Sequence, residues 1–433
     1  MKTKILRTAF VSVFVLEGLA MLLASSTRDG RGFVAVGDPL PANIIVVTNT
    51  NDSGPGSLRN ALAVAHNGDT IDATGVSGTI LLTSGALQFN SFTNNNVRII
   101  GPGAGNLAVN GNATSSVFEN FASDVTISGF TITNGKGVGI INHGGLTLSM
   151  SSVVRNAGVG IYNFAQPLIH TPASLTITNC TVSGNSGGGI SNNGSAFGTG
   201  GGGAELTVSN CTISGNSASN GGGIYNATSG SLAIAAVSNS TLSGNSAAGD
   251  GGAIYNNAAH VVFSHFVVAS VSVSNCTISG NSAAGHGGGI YNINAGGSAF
   301  LELGSTILKA GSSGENIFNN GGTVTSLGYN LASDNGGGFL TGPGDQINTD
   351  PMLGPLQDNG GPTFTHALLT GSPAIDAGNP SFTPPPLYDQ RGPSFWRVRN
   401  GLIDVGSFEV QAGATPPRAT PTPRPRPTPR SRD

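Results

Sequence analysis

Residues that could perform acid–base or metal chemistry are scarce in the middle of this 433-residue chain. Between Gly139 and Phe300 the charged side chains are Arg155, Glu205 and Asp250. General acid–base catalysis needs titratable groups in positioned pairs, which these three residues do not suggest. The histidines of this region do not recur at matching positions, and no Cys/His spacing is typical of a metal site. We therefore predict no catalytic residue, no metal site and no cofactor.

Tyrosines recur in this region immediately after a glycine-rich motif, as in GGGIYN (221–226) and GGAIYN (251–256). If the isoleucine of the motif points into a core, the next residue points outward, because side chains alternate along a strand. A stripe of outward aromatic rings is a platform for sugar rings or for a partner protein. The alternative is a column of rings that the following loops cover. The predicted stripe consists of Tyr162, Tyr225, Tyr255 and Tyr291, with Ser191 at an interrupted position.

The tyrosines lie within a region of internal sequence repeats. Segments 175–186, 206–217, 235–246 and 271–282 align without gaps at intervals of 29 to 36 residues. Self-similarity of this kind predicts stacked units that bury their apolar faces against each other. Alternating apolar and polar residues within each unit indicate short, half-buried strands, with no intervening helical pattern. We predict an all-β fold, a right-handed parallel β-helix, rather than a β-propeller, whose blades need hairpin turns.

Asparagine breaks the alternation in every repeat, which predicts a corner, because asparagine tolerates left-handed turn conformations. Corners that are rebuilt in each coil stack their asparagines, and stacked amides can hydrogen-bond to the coils above and below. Three columns are predicted. The corner column is Asn179, Asn210, Asn239 and Asn275, and the column at the end of the glycine-rich motif is Asn192, Asn226, Asn256 and Asn292. The third column lies between these two in each repeat and consists of Asn185, Asn216, Asn245 and Asn281.

The cysteines share one column of the repeat. Cys180, Cys211 and Cys276 are explained most simply as small apolar core residues. Cys180 and Cys211 belong to adjacent repeats, about 4.8 Å apart in a parallel sheet, which is within the range of a disulfide. Oxidation of this pair in an extracytoplasmic compartment is the alternative.

Composition and charge exclude several classes of protein. The chain contains 68 glycines and only 9% charged residues, which argues against a helical bundle. Its net charge is −3, and residues 1–26 and 411–433 carry +2 and +4, which leaves −9 for the body. A body of that charge is a poor nucleic-acid partner, so we predict no nucleic-acid binding.

The two ends read as export and spacer segments. Lys2, Lys4 and Arg7 precede an apolar run that leads to Ala24-Ser25-Ser26, the pattern of a secretory signal peptide over 1–26; the alternative is an uncleaved membrane anchor. Segment 27–43 reads as a linker. Segment 411–433 is rich in Pro, Thr and Arg, which predicts a disordered tail. The mature chain is predicted to have no transmembrane span.

The region after the repeats contains a series of specific motifs: GGTVTSLGYNLASD (321–334), LGPLQDNGGPTFTHAL (353–368), GSPAIDAG (371–378) and DVGSFE (404–409). Together they resemble the choice-of-anchor Q domain that closes secreted bacterial right-handed β-helix proteins of the pectate-lyase-like superfamily. VTNTNDSGPGSLRNAL (47–62) resembles the opening segment of such proteins. The resemblance implies a secreted or surface protein, and it brings no catalytic residues. The implied division is β-helix repeats over 44–315 and final coils with a cap over 316–410.

Charged residues are concentrated in the predicted cap. We expect an arginine–carboxylate pair to lock a structure that covers the open last coil, as solenoids require. A calcium or substrate site there is the alternative. The residues concerned are Asp376, Asp389, Arg391, Asp404 and Glu409.

The sequence thus favours an exported, non-catalytic, adhesin-like or structural β-helix protein, secreted or at the cell surface, whose partner is an extracellular polysaccharide or a cell-surface component. The alternative is a polysaccharide lyase or glycoside hydrolase on the same scaffold, for which GHG (285–287) and NTD (348–350) are weak and wrongly ordered matches. The sequence leaves the ligand, the route of attachment and the oligomeric state open.

Overall fold

Three long parallel sheets wind around a common core in the computed structural model, which describes residues 42–165, 172–194, 202–259 and 267–411. The chain passes from sheet 1 to sheet 2 to sheet 3 and back in each coil, which makes a right-handed parallel β-helix. This is the fold class that the repeats predicted. The signal peptide, most of the linker and almost all of the tail predicted from sequence lie outside the described residues.

The strands within the described residues are short and are numbered in chain order. Sheet 1 contains β1 Ile44–Val46, β2 Thr70–Asp72, β5 Arg98–Ile100, β8 Val125–Ser128, β11 Gly145–Ser149, β14 Ala173–Thr178, β17 Ala204–Ser209, β21 Leu232–Ser238, β25 Val268–Ser274, β28 Ser298–Gly304 and β31 Thr323–Gly328. Sheet 2 contains β3 Gly78–Leu81, β6 Leu107–Asn110, β9 Thr131–Thr133, β12 Ser152–Val154, β15 Thr181–Ser183, β18 Thr212–Ser214, β19 Ser217–Ala218, β22 Thr241–Ser243, β23 Ser246–Ala247, β26 Thr277–Ala283, β29 Ile307–Ala310 and β32 Leu331–Ala332. Sheet 3 contains β4 Leu87–Phe89, β7 Phe118–Asn120, β10 Val138–Asn142, β13 Val159–Phe164, β16 Ile190–Asn193, β20 Ile224–Thr228, β24 Ile254–Ala259, β27 Ile290–Ala295 and β30 Ile317–Asn320.

The core follows from the alternation within the repeats. In β17, Leu206 and Val208 point inward and are buried, whereas Thr207 points outward. The same positions pair in register from coil to coil, so Leu206 lies beside Leu175 and Ala235. A one-residue slip would turn every apolar side chain outward, and the burial pattern therefore specifies the register.

The corner between sheets 1 and 2 is formed by the first predicted asparagine column. Asn179, Asn210, Asn239 and Asn275 all have positive φ, between 49° and 55°. Their side chains do not form the continuous ladder that we expected. Asn239 donates to Asn210 Oδ1 at 2.6 Å, but Asn275 Oδ1 accepts from Arg397 instead. These residues serve mainly through their backbone conformation, which few residues other than glycine adopt without strain.

Two other asparagine columns form buried amide ladders. In each ladder the Nδ2 of one asparagine donates to the Oδ1 of the next coil, at 2.7 to 2.9 Å. The ladder in sheet 3 contains Asn120, Asn142, Asn163, Asn192, Asn226, Asn256, Asn292 and Asn319. The ladder after sheet 2 contains Asn156, Asn185, Asn216, Asn245 and Asn281.

A short helix closes the first coil. Helix α1, Leu58–Val64, buries Leu58 and Leu62 against the core, and the Ser57 hydroxyl caps its first turn. Arg59 binds Asp52 at 2.7 Å, and the same carboxylate accepts from the amide of Ser84 at 2.8 Å. These contacts hold the helix on the coil.

The other end is built in two parts. The short 3₁₀ helix Gly336–Gly338 leads to Leu340, which packs into the core beside the last coil. The chain then forms what we call the lateral module, residues 353–411, which contains the antiparallel pair β33 Leu353–Gln357 and β34 Thr365–Leu368. The lateral module lies along the outer face of sheet 2.

Candidate functional site

The predicted tyrosine stripe is a stacked column on sheet 3. The rings of Tyr225, Tyr255 and Tyr291 follow one another with centroids 5.3 and 5.4 Å apart and nearly parallel planes. Phe318 and His286 extend the stack, at 5.5 and 4.1 Å. Sequence reasoning missed these two residues, because neither has the tyrosine of the repeat motif.

Tyr162 belongs to a separate stack. Ser191 pairs with both Tyr162 and Tyr225 in the ladder and leaves a gap between them. Tyr162 instead stacks on Phe164 at 5.4 Å. The interruption predicted at Ser191 therefore divides the stripe.

The main column is covered rather than open. Tyr255 and Tyr291 are only 8% and 6% exposed. Both faces of the Tyr255 ring are used by its neighbours. The glycine segment before the strand lies close to the base of the side chain, since a Cβ on Gly251 would come within 2.8 Å of Tyr255 Cβ. Burial also raises the pKa of Tyr255 to about 12. The expectation of an open aromatic platform here is therefore corrected: the described rings of this column mainly stabilise the fold.

The outer face of sheet 1 carries rows of hydroxyl groups, a feature that the sequence analysis did not single out. Thr126, Thr147, Thr176 and Thr207 pair in register on successive strands, and all point outward. A second row, two residues further along each strand, consists of Ser128, which is only 8% exposed, and the more accessible Ser149, Thr178 and Ser209. The polar positions of the repeats already contained this signal. Their alignment into rows requires the register of the sheet.

The side chains of four of the five predicted cap residues, all except the exposed Asp376, form a buried network inside the lateral module. Arg391 binds Asp389 through Nε and Nη2, at 3.0 and 2.5 Å, and lies between the rings of Phe395 and Phe408, 3.9 and 3.8 Å from their centroids. Arg391 also donates to the carbonyl of Glu409 at 2.6 Å. The predicted arginine–carboxylate pair is thus present.

The carboxylates of Asp404 and Glu409 are also bonded within the module. Asp404 accepts from the amides of Asp376 and Val410, at 2.8 and 2.7 Å, and Glu409 accepts from the amide of Asp404 at 2.9 Å. Burial raises the pKa of Asp404, and burial together with the Asp404 charge raises the pKa of Glu409 to about 9. Such groups stabilise the module, because their acceptor oxygens are used internally.

The position of this network differs from the expectation. Arg391 was expected to lock a structure over the last coil, but the module lies beside several coils. Thr363 donates to the carbonyl of Asn210, Gln390 donates to Thr212 and accepts from Thr241, and the amide of Gly406 donates to the carbonyl of Ser305. The outward threonines of sheet 2 provide hydroxyls for this contact. A cap placed over the open end of the core would not contact these hydroxyls.

The cysteines lie in the core as predicted and carry free thiols. The amide of Cys180 donates to Cys211 Sγ at 3.4 Å, so the two residues are adjacent. Burial raises the pKa of the Cys276 thiol to about 12 and that of Cys211 well above its ordinary value. Both thiols are therefore unreactive in the folded protein.

The weak enzyme-like motifs, GHG (285–287) and NTD (348–350), take part in separate structural contacts. His286 stacks on Phe318, and Asp350 pairs with Lys309 at 2.9 Å. Within the part of the chain that the structure describes, no group of three His, Cys, Asp or Glu side chains is arranged to hold a metal ion. No helix among the described residues is long and apolar enough to cross a membrane.

Comparison with known proteins supports the fold. The chain matches no protein-family profile and no curated protein sequence. It is similar to the crystal structure of pectate lyase Pel9A, with a TM-score of 0.52 and 14% sequence identity over 85% of this chain and 96% of that chain. At this identity the similarity establishes the architecture, a parallel β-helix of the pectate-lyase type, and leaves the activity open.

Proposed function

We propose that this protein is an exported, non-catalytic β-helix that binds a polysaccharide at or outside the cell surface. Export rests on the leader-like segment 1–26 and on the resemblance of the C-terminal region to choice-of-anchor Q domains. The observation that carries the binding proposal is the pair of hydroxyl rows on sheet 1, formed on β8, β11, β14 and β17.

These rows suit a polymeric ligand. Hydroxyl groups both donate and accept, so they can bond to the hydroxyls and ring oxygens of a sugar. Neighbouring parallel strands lie about 4.8 Å apart, and a repeating surface can therefore bind successive units of a repeating polymer. Each hydrogen bond contributes only about 0.5 to 1.5 kcal/mol, but contacts along one polymer act together.

The enzymatic alternative, a lyase or hydrolase on this scaffold, needs carboxylates that are available to a substrate. The carboxylates of Asp389, Asp404 and Glu409 are buried and bonded to backbone amides or to Arg391. The proposal therefore assigns them a structural role, and the experiment below measures catalysis directly.

The test is a binding assay that also detects cleavage. The full chain is incubated with insoluble plant and bacterial polysaccharides, and both the retained protein and the new reducing or unsaturated sugar ends are measured. We expect retention without product. Replacement of Thr147, Thr176 and Thr207 by alanine should weaken retention about tenfold, which corresponds to about 1.4 kcal/mol.

The matched control carries alanine at Thr133, Ser152 and Thr181, which are outward hydroxyl residues of sheet 2. It should bind as the unmodified protein does. Product release would replace the proposal with the enzymatic alternative. Equal binding by both triple variants would show that the sheet 1 rows are not the site.

A further inference from the structure

The lateral module contains an aromatic pair of a half-buried tyrosine and an exposed tryptophan. Tyr388 and Trp396 face each other across an antiparallel bridge, with ring centroids 4.9 Å apart and planes inclined at 51°. Trp396 is the single tryptophan of the chain and is 47% exposed. Single exposed rings are common on protein surfaces, whereas an exposed aromatic ring within a contiguous apolar patch can mark a binding site.

The pair is held from below by a buried arginine. Arg397, next to Trp396, is fully buried and donates to Asn275 Oδ1 at 3.0 Å and to the carbonyl of Gly406 at 2.6 Å. Its amide donates to the carbonyl of Leu387, while Gln411 Nε2 donates to the carbonyl of Trp396. Because alternate residues point to opposite sides, anchoring Arg397 directs Trp396 outward. The platform is therefore formed before a ligand arrives, which lowers the entropic cost of binding.

Exposed apolar side chains flank the pair in the chain. Leu387 precedes Tyr388 and Val398 follows Arg397, and both are exposed, whereas Asp389 and Arg391 are buried in the network described above and Arg399 is half-buried. A neutral ligand with an apolar face is complementary to such a surface. A charged group placed against Leu387 and Val398 would lose hydration without a partner charge on these side chains.

We propose that Trp396 and Tyr388 form a stacking platform for neutral polysaccharides made of all-equatorial pyranose rings, such as β-linked glucans or chitin. These rings carry their hydroxyls at the rim and expose C–H groups on both faces, which can lie flat on an indole. An axial hydroxyl, as in galactose units, interrupts that face. This inference rests on the proposed polysaccharide binding, and adds to it a second site and a ligand class.

The single tryptophan makes the test direct, because selective excitation reports on Trp396 alone. The full chain is titrated with cellohexaose, with chitohexaose, and with galactan and polygalacturonate oligosaccharides of equal length. We expect a saturable change in fluorescence with cellohexaose or chitohexaose, and a change at least tenfold weaker with the two galacto-configured ligands.

Calorimetric titration of variants with the same ligands supplies a readout that does not need the fluorophore. Trp396→Ala should lower the affinity at least tenfold, and Trp396→Phe should restore part of it. Phe92→Ala is the matched control, because Phe92 is an aromatic residue that is 85% exposed elsewhere on the chain. It should leave the affinity unchanged. Circular dichroism verifies that each variant is folded.

The inference is overturned if no saccharide changes the Trp396 fluorescence, if Trp396→Ala binds as the unmodified chain does, or if the galacto-configured ligands bind equally well. A concentration-dependent dimer that Trp396→Ala abolishes would instead assign the patch to a second copy of the chain. Retention on insoluble polysaccharide by Trp396→Ala, lost only in the sheet 1 triple variant, would reject the platform while keeping the proposed function. No retention by any variant would reject both.

Discussion

Individual side chains in this protein are used for structure more often than their chemistry suggests. Apart from the exposed Asp376, the carboxylates, the arginine and the cysteines that the sequence singles out are buried and mostly hydrogen-bonded. Arg391 illustrates the point, since its guanidinium contacts one carboxylate, two carbonyls and two aromatic rings. Breaking a buried pair of this kind typically costs about 3 to 5 kcal/mol, because a charge is left without a partner.

Glu409 makes the stability of the module depend on pH. Its pKa in the folded protein is about 9, above the ordinary 4.5, so the folded state retains a proton that the unfolded state releases. Stability is therefore fully present below about pH 4.5 and falls as the pH rises toward 9. Glu409→Gln keeps the shape and the acceptor for the Asp404 amide but cannot ionise.

The variant should match the unmodified protein near pH 4.5 and should become more stable than it at alkaline pH. The difference in unfolding free energy should grow by up to about 1.4 kcal/mol per pH unit within this window. Denaturant unfolding at several pH values measures it, with Glu302→Gln, an exposed position on sheet 1, as the control. A difference that does not vary with pH would contradict the assigned pKa.

Residue roles were only partly predictable from the sequence. Alternation correctly predicts that Tyr225 and Tyr255 point away from the core. It does not reveal that the glycine segments pack close to the tyrosine Cβ atoms, because that contact depends on φ values at residues such as Gly221 and Gly251. Trp396 escaped attention for a different reason, since it lies outside the repeats and no periodicity marks it.

At the scale of the element, the coil is specified by apolar alternation, by corner asparagines and by amide ladders. The predicted repeat 175–186 overlaps β14 and contains β15, because period-two alternation and the phase break at Asn179 are local signals. The asparagine columns have different structural roles, and the sequence alone does not distinguish them. Asn179 lies at a turn with positive φ, whereas Asn226 lies within a strand and faces the interior.

The sheet 3 ladder leads to a prediction about its interior. Asn226 Nδ2 donates to Asn256 Oδ1 at 2.8 Å and to the carbonyls of Ala233 and Ser270, while its Oδ1 accepts from Asn192 at 2.7 Å. Asn226→Ala leaves buried donors and acceptors without partners. Each such group costs about 1 to 3 kcal/mol, so we expect a loss of at least about 3 kcal/mol in unfolding free energy.

Asn319 at the end of the same ladder is the matched control. It is half-buried, so water can replace the lost amide, and Asn319→Ala should cost less than about 1 kcal/mol. Chemical denaturation of the two variants measures both values. Equal losses at the two positions would indicate that the ladder adds nothing beyond the volume of the side chain.

The whole molecule is a stack of coils fastened along one side. In a solenoid each coil contacts only its neighbours, so stability is approximately a sum of local terms. The lateral module changes this, because it bonds to coils at Asn210, Thr241, Asn275 and Ser305. The sequence could not predict this side attachment. Thr181 and Thr212 occupy identical positions in the repeat, but only Thr212 takes part in the hydrogen bonds to the module described above.

This arrangement predicts that the coils bonded to the module are locally more stable than they would be without it, and that this added stability depends on Gln390. Gln390 is fully buried, donates to Thr212 Oγ1 and Thr363 Oγ1 at 3.0 Å, and accepts from Thr241 Oγ1 at 2.6 Å. Gln390→Ala should lower amide-exchange protection about tenfold or more in strands β18 and β22 and in the module, which corresponds to at least about 1.4 kcal/mol. Strands β5 to β12, further along the stack, should exchange as before.

Hydrogen exchange followed by mass spectrometry resolves these segments, and Gln88→Ala is the control, because Gln88 is an exposed glutamine that bonds to Glu119. A uniform loss of protection along the stack would mean that the coils unfold as one unit, whereas no loss at β18 and β22 would mean that the module does not fasten them.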